Sequence, residues 1–241
     1  MTVEHPNEIA ATEDFEFAAL GEAKNYRAAL LETFGPWLQG GVIEVGAGIG
    51  QFTSALAGRP GVRHLLSVEP DPRFCRKFRA ALPERTLLEG TVERVPTAES
   101  KWDAILSINV LEHIREDSAE LARYRTLLGR ARGHLCLFVP ARPELYAPID
   151  QDFGHHRRYR RPELREKLEQ AGFELVHLHY FNLIGYFAWW FTFCLRARRS
   201  FDAGAVRLFD RVIFPPAYWL ERCVCRPPFG QSLLAVARAR A

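Results

Sequence analysis

Between residues 41 and 141, short apolar runs alternate with longer segments whose apolar residues recur every three or four positions. "GVIEV", "VRHLLSVE", "RTLLEG", "WDAILSI" and "GHLCLFVPA" predict five strands. Between them, a helix opens near Gly50, "PRFCRKFRAAL" predicts a second, and a third runs from about Leu111 to Leu128. Strands alternating with helices imply βαβ units and a parallel sheet covered on both faces. Right-handed crossovers make such a sheet doubly wound, with ligands beyond the carboxyl ends of its strands.

The end of the chain has a different rhythm. "RPELREKLEQAGFELVHLHYF" predicts a helix, a stop at Gly172 and a sixth strand, and "QSLLAVARAR" a last strand. Residues 182 to 230 lie between them and carry two helical patterns, "LIGYFAWWFTFCLRAR" and "AGAVRLFDRVIF…AYWLERCV", the second interrupted by Pro215 and Pro216. This helical insertion would sit over the sheet edge as a lid. One apolar run, Phe181 to Leu195, tests the soluble reading. It has fifteen residues, including Asn182 and Gly185, where a bilayer span needs roughly 20. A buried helix or pocket wall is the expectation. The other readings are an interfacial helix with its aromatics in lipid above the arginines of "RARR" and, least favoured, a transmembrane segment.

Composition changes little. With 48% hydrophobic and 25% charged residues, the 241-residue chain is an ordinary globular protein and one domain, 1–241. A net charge of +3 is too small to argue for nucleic acid. Five cysteines, Cys75, Cys136, Cys194, Cys223 and Cys225, are odd in number and mostly in apolar runs; they read as reduced core residues. The polar, acidic opening "MTVEHPNEIAATEDFEF" has no secretory pattern, so a cytoplasmic location is expected.

The chemistry starts at "VIEVGAGIG". A glycine turn between strand and helix lets a ligand approach the backbone closely. A dinucleotide fingerprint would need a small residue where Gln51 stands, after Gly46, Gly48 and Gly50. Glu44, just before the turn, would repel a pyrophosphate and suits a cationic group such as an ammonium. Glu69 ends the second strand, where a carboxylate accepts hydrogen bonds from ribose hydroxyls. Ribose at one end and ammonium at the other is the layout of S-adenosylmethionine.

"EVGAGIG", "VEPD", "EGTVERVP" and "WDAILSINVLEHI" resemble, in order, the cofactor motifs of class I S-adenosylmethionine-dependent methyltransferases. The resemblance implies a Rossmann-like, seven-stranded α/β sheet, mostly parallel, with an antiparallel last strand and the insertion between strands six and seven. It implies that Gly46, Gly48 and Gly50 line the methionine portion, Glu44 holds its ammonium, and Glu69 takes the ribose hydroxyls. Gly90, Thr91 and Glu93 would lie near the adenine, with Asn109, Val110 and His113 beside the cofactor. "KNYRAALLETFGPWL" resembles the helix covering the methionine end, within an N-terminal helical cap 1–38, and Tyr26 is its candidate contact. "YAPIDQDFGHHRRYRRPELREKLEQAGF" resembles a type 11/12-like subgroup with a GHxRRY segment. Two rivals share the fold, a nicotinamide oxidoreductase and a cofactor-binding scaffold without catalysis.

On the acceptor side, O-methylation needs a base to take the hydroxyl proton, a task suited to histidine. His155 and His156, in the polar loop after strand five, are the candidates, with capping or loop-holding roles as the alternative. His113 is a weaker candidate base. In ubiquinone-type O-methyltransferases the comparable segment reads Glu-x-x-Glu-His and binds a divalent metal. Here Asn109 takes the first position and removes a charge, so no metal is expected. Arg158 and Tyr159, within an arginine-rich stretch, and Tyr186 are candidate acceptor contacts; the acceptor would be small or lipid-linked. A membrane-surface contact is the less favoured reading, and nothing in the sequence fixes the oligomeric state.

Overall fold

The computed structural model describes residues 21–97, 102–129, 133–224 and 226–240. The acidic opening stretch, the first part of the expected N-terminal cap, and Cys225 lie outside the described residues. Seven strands form one sheet: β1 (Gly40–Val45), β2 (Val62–Glu69), β3 (Leu87–Glu89), β4 (Ala104–Ile108), β5 (His134–Pro140), β6 (Phe173–Phe181) and β7 (Ser232–Ala239). Their order is β3-β2-β1-β4-β5-β7-β6. The first five run parallel, while β7 is antiparallel to both β5 and β6. This is the seven-stranded, Rossmann-like α/β fold, with an antiparallel last strand, that the family resemblance implies. Every residue of β1 is buried, as a central parallel strand covered on both faces requires.

Helices α1 (Lys24–Phe34), α2 (Gln51–Ala57), α3 (Pro72–Ala81), α4 (Asp117–Leu128), α5 (Pro148–Asp152) and α6 (Arg161–Gln170) follow in chain order. On one face of the sheet, Ile43, Ile105 and Leu135 pack with Tyr124 of α4 and Leu164 of α6. On the other, Val42, Leu106 and Phe138 pack with Leu30 and Phe34 of α1. Strand order reverses between β1 and β4, and the crevice at that switch point is where a ligand fits. The helix expected from Leu111 starts later. Leu111–His113 is a single 3-10 turn, and α4 begins at Asp117.

The insertion consists of α7 (Leu183–Trp189), a π-helical turn Trp190–Leu195, α8 (Ala203–Leu208), a π-helical turn Phe209–Ile213, and α9 (Phe214–Cys223). Pro215 and Pro216 do not interrupt it. They fall in the first turn of α9, where a missing N–H costs least, and the wider π turn just before them absorbs the change in hydrogen bonding. Cys75 and Cys136 are buried, but Cys223 is exposed, which corrects its reading as a core residue. Among the described residues no helix is long and apolar enough to cross a membrane.

The expectation of a buried helix over Phe181–Leu195 needs correcting for one face. Gly185, Trp189 and Phe193 are buried, whereas Phe187, Trp190, Phe191 and Leu195 are exposed. Trp189 and Phe193 join Leu145, Ile149 and Phe153 in a third apolar cluster. That cluster clamps the loop after β5 against the insertion.

Candidate active site

Two cavities meet at the carboxyl ends of β1, β4 and β5. One, of about 510 Å³, lies over the glycine turn; the other, of about 520 Å³, lies under the insertion. Tyr26, Asn109 and Phe153 line both, so the two chambers share a wall. Asn109 stands there with φ of 50°, a left-handed conformation that asparagine tolerates better than most residues. Its backbone N–H donates to Phe138 O at 2.9 Å, which ties the end of β4 to β5.

The glycine turn divides its work unevenly. Gly46, at φ +73°, lines the first cavity, and a Cβ there would come within 2.3 Å of Val110 Cγ2. Gly48 and Gly50 alternate with the lining residues Ala47, Ile49 and Gln51 and do not themselves line the cavity. Gly48 N–H instead donates to Glu69 Oε2 at 2.8 Å. Gly50, at φ +88°, lets the start of α2 close on α3, where a Cβ would lie 2.5 Å from Leu82 Cδ1. Asp71 N–H donates to the other Glu69 oxygen at 2.9 Å. The carboxylate thus stands fixed at the cavity edge. Gly90, Thr91, Glu93, Val110 and His113 also line this chamber.

Glu44 is elsewhere. Its carboxylate accepts from Thr53 Oγ1 at 2.5 Å and Ser67 Oγ at 3.1 Å, and it does not line the cavity. Strand alternation explains the correction: Val45 faces the ligand, so Glu44 faces the underside of α2. Burial pushes its carboxyl up to about 7, against the hydrogen bonds from Thr53 and Ser67. In its place the structure brings in a residue that sequence reasoning missed, Arg27. It lines the cavity and donates from Nη1 to Gln51 Oε1 at 2.9 Å. Ala23, Tyr26, Arg27 and Leu30 line one side at helical spacing, a signal present in the sequence once Tyr26 is placed. Burial also raises the Tyr26 phenol, opposed by hydrogen bonds with Ser232 and Asn182.

The second cavity carries Arg196, Arg198 and Asp202 in its wall and a buried charged cluster around His155, among mostly apolar residues. His155, buried, places Nδ1 2.9 Å from Asp150 Oδ1. Asp150 also accepts from Arg158 Nε at 2.9 Å and from Ala147 N–H at 2.9 Å. Burial would push the Asp150 carboxyl up, but His155 and Arg158 hold it below its usual value. An ionised carboxylate only accepts, so Nδ1 carries the proton and Nε2 keeps its lone pair. That Nε2 has no hydrogen-bond partner and faces Glu112 Oε1 at 3.9 Å. Burial lowers the His155 pKa despite Asp150. Burial also takes His113 down to about 3, and its ring centroid lies 4.6 Å from that of His155. Both imidazoles are therefore neutral near pH 7.

The remaining candidates separate. Arg158 lines the second cavity, but its charge is matched by Asp150 and its guanidinium lies 4.4 Å from the Trp189 ring centroid. His156 is exposed and is not in the cavity wall; its N–H donates to Glu112 O at 2.8 Å. Tyr159 is fully buried and donates to Asp117 Oδ2 at 2.9 Å and Leu111 O at 3.2 Å, which makes it a brace under the 3-10 turn and not a cavity residue. It follows Arg158 at a parallel bridge to Ala141, so the two side chains take opposite sides. Tyr186 packs against Phe187 and Phe229, outside the cavity wall. Asp150, the residue that orients His155, was missed, because it lies in the short helix α5 and reaches His155 only through the turn that follows, a pairing with no spacing rule. Glu112, His113 and His155 each offer one donor atom, all within 4.8 Å of one another. The sequence expectation of no metal took the Asn109 position into account but not the arrival of His155.

The first chamber fits S-adenosylmethionine on its own features. Gly46 leaves open backbone, Glu69 stands as a fixed acceptor, and Gly90 and Thr91 lie at the far end. The family model described as a methyltransferase domain matches residues 19–178. An uncharacterized methyltransferase of Mycobacterium tuberculosis is 38% identical over 65 residues, 27% of this chain and 26% of that protein. The chain thus aligns with about a quarter of the length of that relative. A candidate methyltransferase of Bacillus halodurans superposes with TM-score 0.61 at 20% identity, covering 88% of this chain and 99% of that one. An S-adenosylmethionine-dependent methyltransferase of Mesorhizobium loti gives 0.59 at 17%, covering 86% and 95%. The nicotinamide oxidoreductase alternative is set aside: the chain belongs to the methyltransferase-domain family and shares the fold of these S-adenosylmethionine-dependent methyltransferases.

Proposed function

We propose that this methyltransferase methylates a hydroxyl of a small or lipid-linked acceptor held in the chamber under the insertion, with His155 as general base. The observation that carries the proposal is the unpartnered Nε2 of His155, buried and oriented through Nδ1 by Asp150, on a residue that lines the chamber next to the cofactor's. When bound, S-adenosylmethionine supplies an electrophilic methyl on a sulfonium centre. Glu69 and the Gly46 backbone hold the donor. Tyr26, Asn109 and Phe153, in the shared wall, set the angle at which the acceptor approaches. His155 Nε2 takes the hydroxyl proton, and the Asp150 carboxylate stabilises the imidazolium that results. The apolar walls from Phe191, Phe193 and Leu208 favour an apolar acceptor, and residues 182–230 act as its lid.

His155→Ala should leave S-adenosylmethionine affinity unchanged and lower turnover by roughly 10²–10⁴-fold. The acidic limb of the pH–rate profile should disappear with the imidazole. Full turnover by this variant with any accepted substrate would remove His155 from catalysis. A second reading rests on the convergence of Glu112, His113 and His155. A divalent ion on those three donors would lower the acceptor's pKa directly, with Asp150 as the carboxylate behind the ligating His155. Turnover that is lost on chelation and restored by Zn²⁺ or Mn²⁺ selects this reading; turnover indifferent to chelator selects the base.

A further inference from the structure

We propose that the outer face of the insertion docks on a membrane surface carrying anionic lipids and turns the mouth of the acceptor chamber toward it. Docking rests on the surface alone; its role in delivering acceptor rests on the function proposed above. Among the described residues, every exposed large apolar side chain except Val176 lies between Ile184 and Val224. Ile184, Phe187, Phe191 and Leu195 recur every three or four positions, opposite the buried Gly185, Trp189 and Phe193. Leu208, Val212, Trp219, Leu220 and Val224 continue the face on the second helical segment. The two segments are held together, since Glu221 accepts from the N–H groups of Asn182 and Leu183 at 3.0 and 2.7 Å. Soluble monomers rarely expose an apolar patch this continuous. Trp190 and Trp219 are 45% and 61% exposed, and indole favours the boundary between lipid and water.

Charge identifies the occupant. Residues 183–228 contain seven arginines, no lysine and three acids. All three acids cap or bridge backbone N–H groups: Asp202 to Ala205, Asp210 to Tyr26, and Glu221 as above. The arginines are exposed; Arg199, Arg207 and Arg222 pair with Asp152, Glu22 and Glu32, whereas Arg196, Arg198 and Arg211 make no ion pair with any described residue and leave the face a positive surplus. A second copy meeting this face across a two-fold axis would set arginine against arginine. Anionic headgroups match the charge and the acyl region matches the apolar stripe. Phe191, Leu208 and Ile213 belong to both the exposed face and the cavity lining, so an acceptor anchored in lipid reaches the chamber along one apolar surface.

Flotation of the whole protein with vesicles, without S-adenosylmethionine or acceptor, separates this proposal from the catalytic one. Vesicles of phosphatidylcholine containing phosphatidylglycerol should carry the protein at low salt and release it as salt screens the arginines. Trp190→Ser with Trp219→Ser should weaken binding roughly tenfold or more, with melting temperature and S-adenosylmethionine affinity kept. Arg198→Ser with Arg211→Ser should weaken it by roughly fivefold for each arginine. Three results overturn the proposal. The first is a monomer that ignores anionic vesicles. The second is salt-independent binding that is equally strong on pure phosphatidylcholine. The third is a stable dimer, split by Trp219→Ser, with no vesicle binding.

Discussion

Asp150→Asn removes one charge from a pair in which both side chains are almost wholly buried, Asp150 at 0% and Arg158 at 1% exposure. Arg158 would keep its charge with only neutral acceptors, the carbonyl of the introduced amide and Ala141 O at 3.4 Å. Breaking one side of a buried pair costs about 3–5 kcal/mol, because the remaining charge stays desolvated. For a chain of this size each kcal/mol shifts the melting temperature by about 2–4 °C, so calorimetry should show a fall on the order of 10 °C. The introduced amide can also offer an N–H to His155 Nδ1, which selects the wrong tautomer, and kcat should fall roughly 10²-fold or more. The double variant Asp150→Asn with Arg158→Met separates the two roles. With the orphan cation gone, most of the stability should return, while kcat stays low because nothing ionised orients His155. A single variant within about 1 kcal/mol of wild type would refute the buried-pair argument. A double variant that regains full kcat would refute the orienting role of Asp150.

Glu69→Ala should weaken S-adenosylmethionine binding by about 1.5–3 kcal/mol, the worth of hydrogen bonds to a buried carboxylate; calorimetric affinity within about twofold of wild type would take Glu69 out of the site. Gly46→Ala should lower both stability and cofactor affinity, because its Cβ at φ +73° would strike Val110; unchanged melting and binding would show that the turn relaxes freely. Glu44 titrates near 7 when folded, against an ordinary 4.5. The folded state therefore holds the proton more tightly, and stability falls as pH rises from 4.5 to about 7. At about 1.36 kcal/mol per pH decade the loss is about 3 kcal/mol. Glu44→Gln should flatten that slope in denaturant titrations across the window, and an identical slope in the variant would mean that Glu44 ionises normally.

The strands were legible because each is a short apolar run bounded by turn residues. "VRHLLSVE" and the observed β2 share the same limits, Val62–Glu69. Periodicity spoke less clearly where local geometry departs from the α-helix. The segment after β4 has helix-forming residues from Leu111, yet Tyr159, 48 positions away, holds Leu111 O in a 3-10 turn. No local pattern carries a contact of that range. The same holds for Pro215 and Pro216, which read as a break until the π turn before them is known.

The cofactor chamber was more legible than the acceptor chamber, and the reason is the distance each is assembled over. Gly46, Glu69, Gly90 and Asn109 all lie at the ends of strands of one sheet, so the strand order brings them together without further information. Even there, sequence reasoning put Glu44 on the right strand and the wrong face. One residue of alternation separates a ligand to an ammonium from a buried carboxyl under α2. The acceptor chamber depends on a loop folded against the insertion, where Leu145 O accepts from Trp189 Nε1 at 3.0 Å. That contact fixes the position of Asp150, and Asp150 in turn fixes His155 and Arg158. His155 and His156 are neighbours with the same chemistry, and only the loop's tertiary anchor puts one imidazole in the cavity wall and the other in solvent. Which of the two histidines can serve as the proposed base is therefore a property of how the insertion packs. Substitutions at Trp189, which touches both Arg158 and Leu145, should disturb His155 more than substitutions at the neighbouring His156.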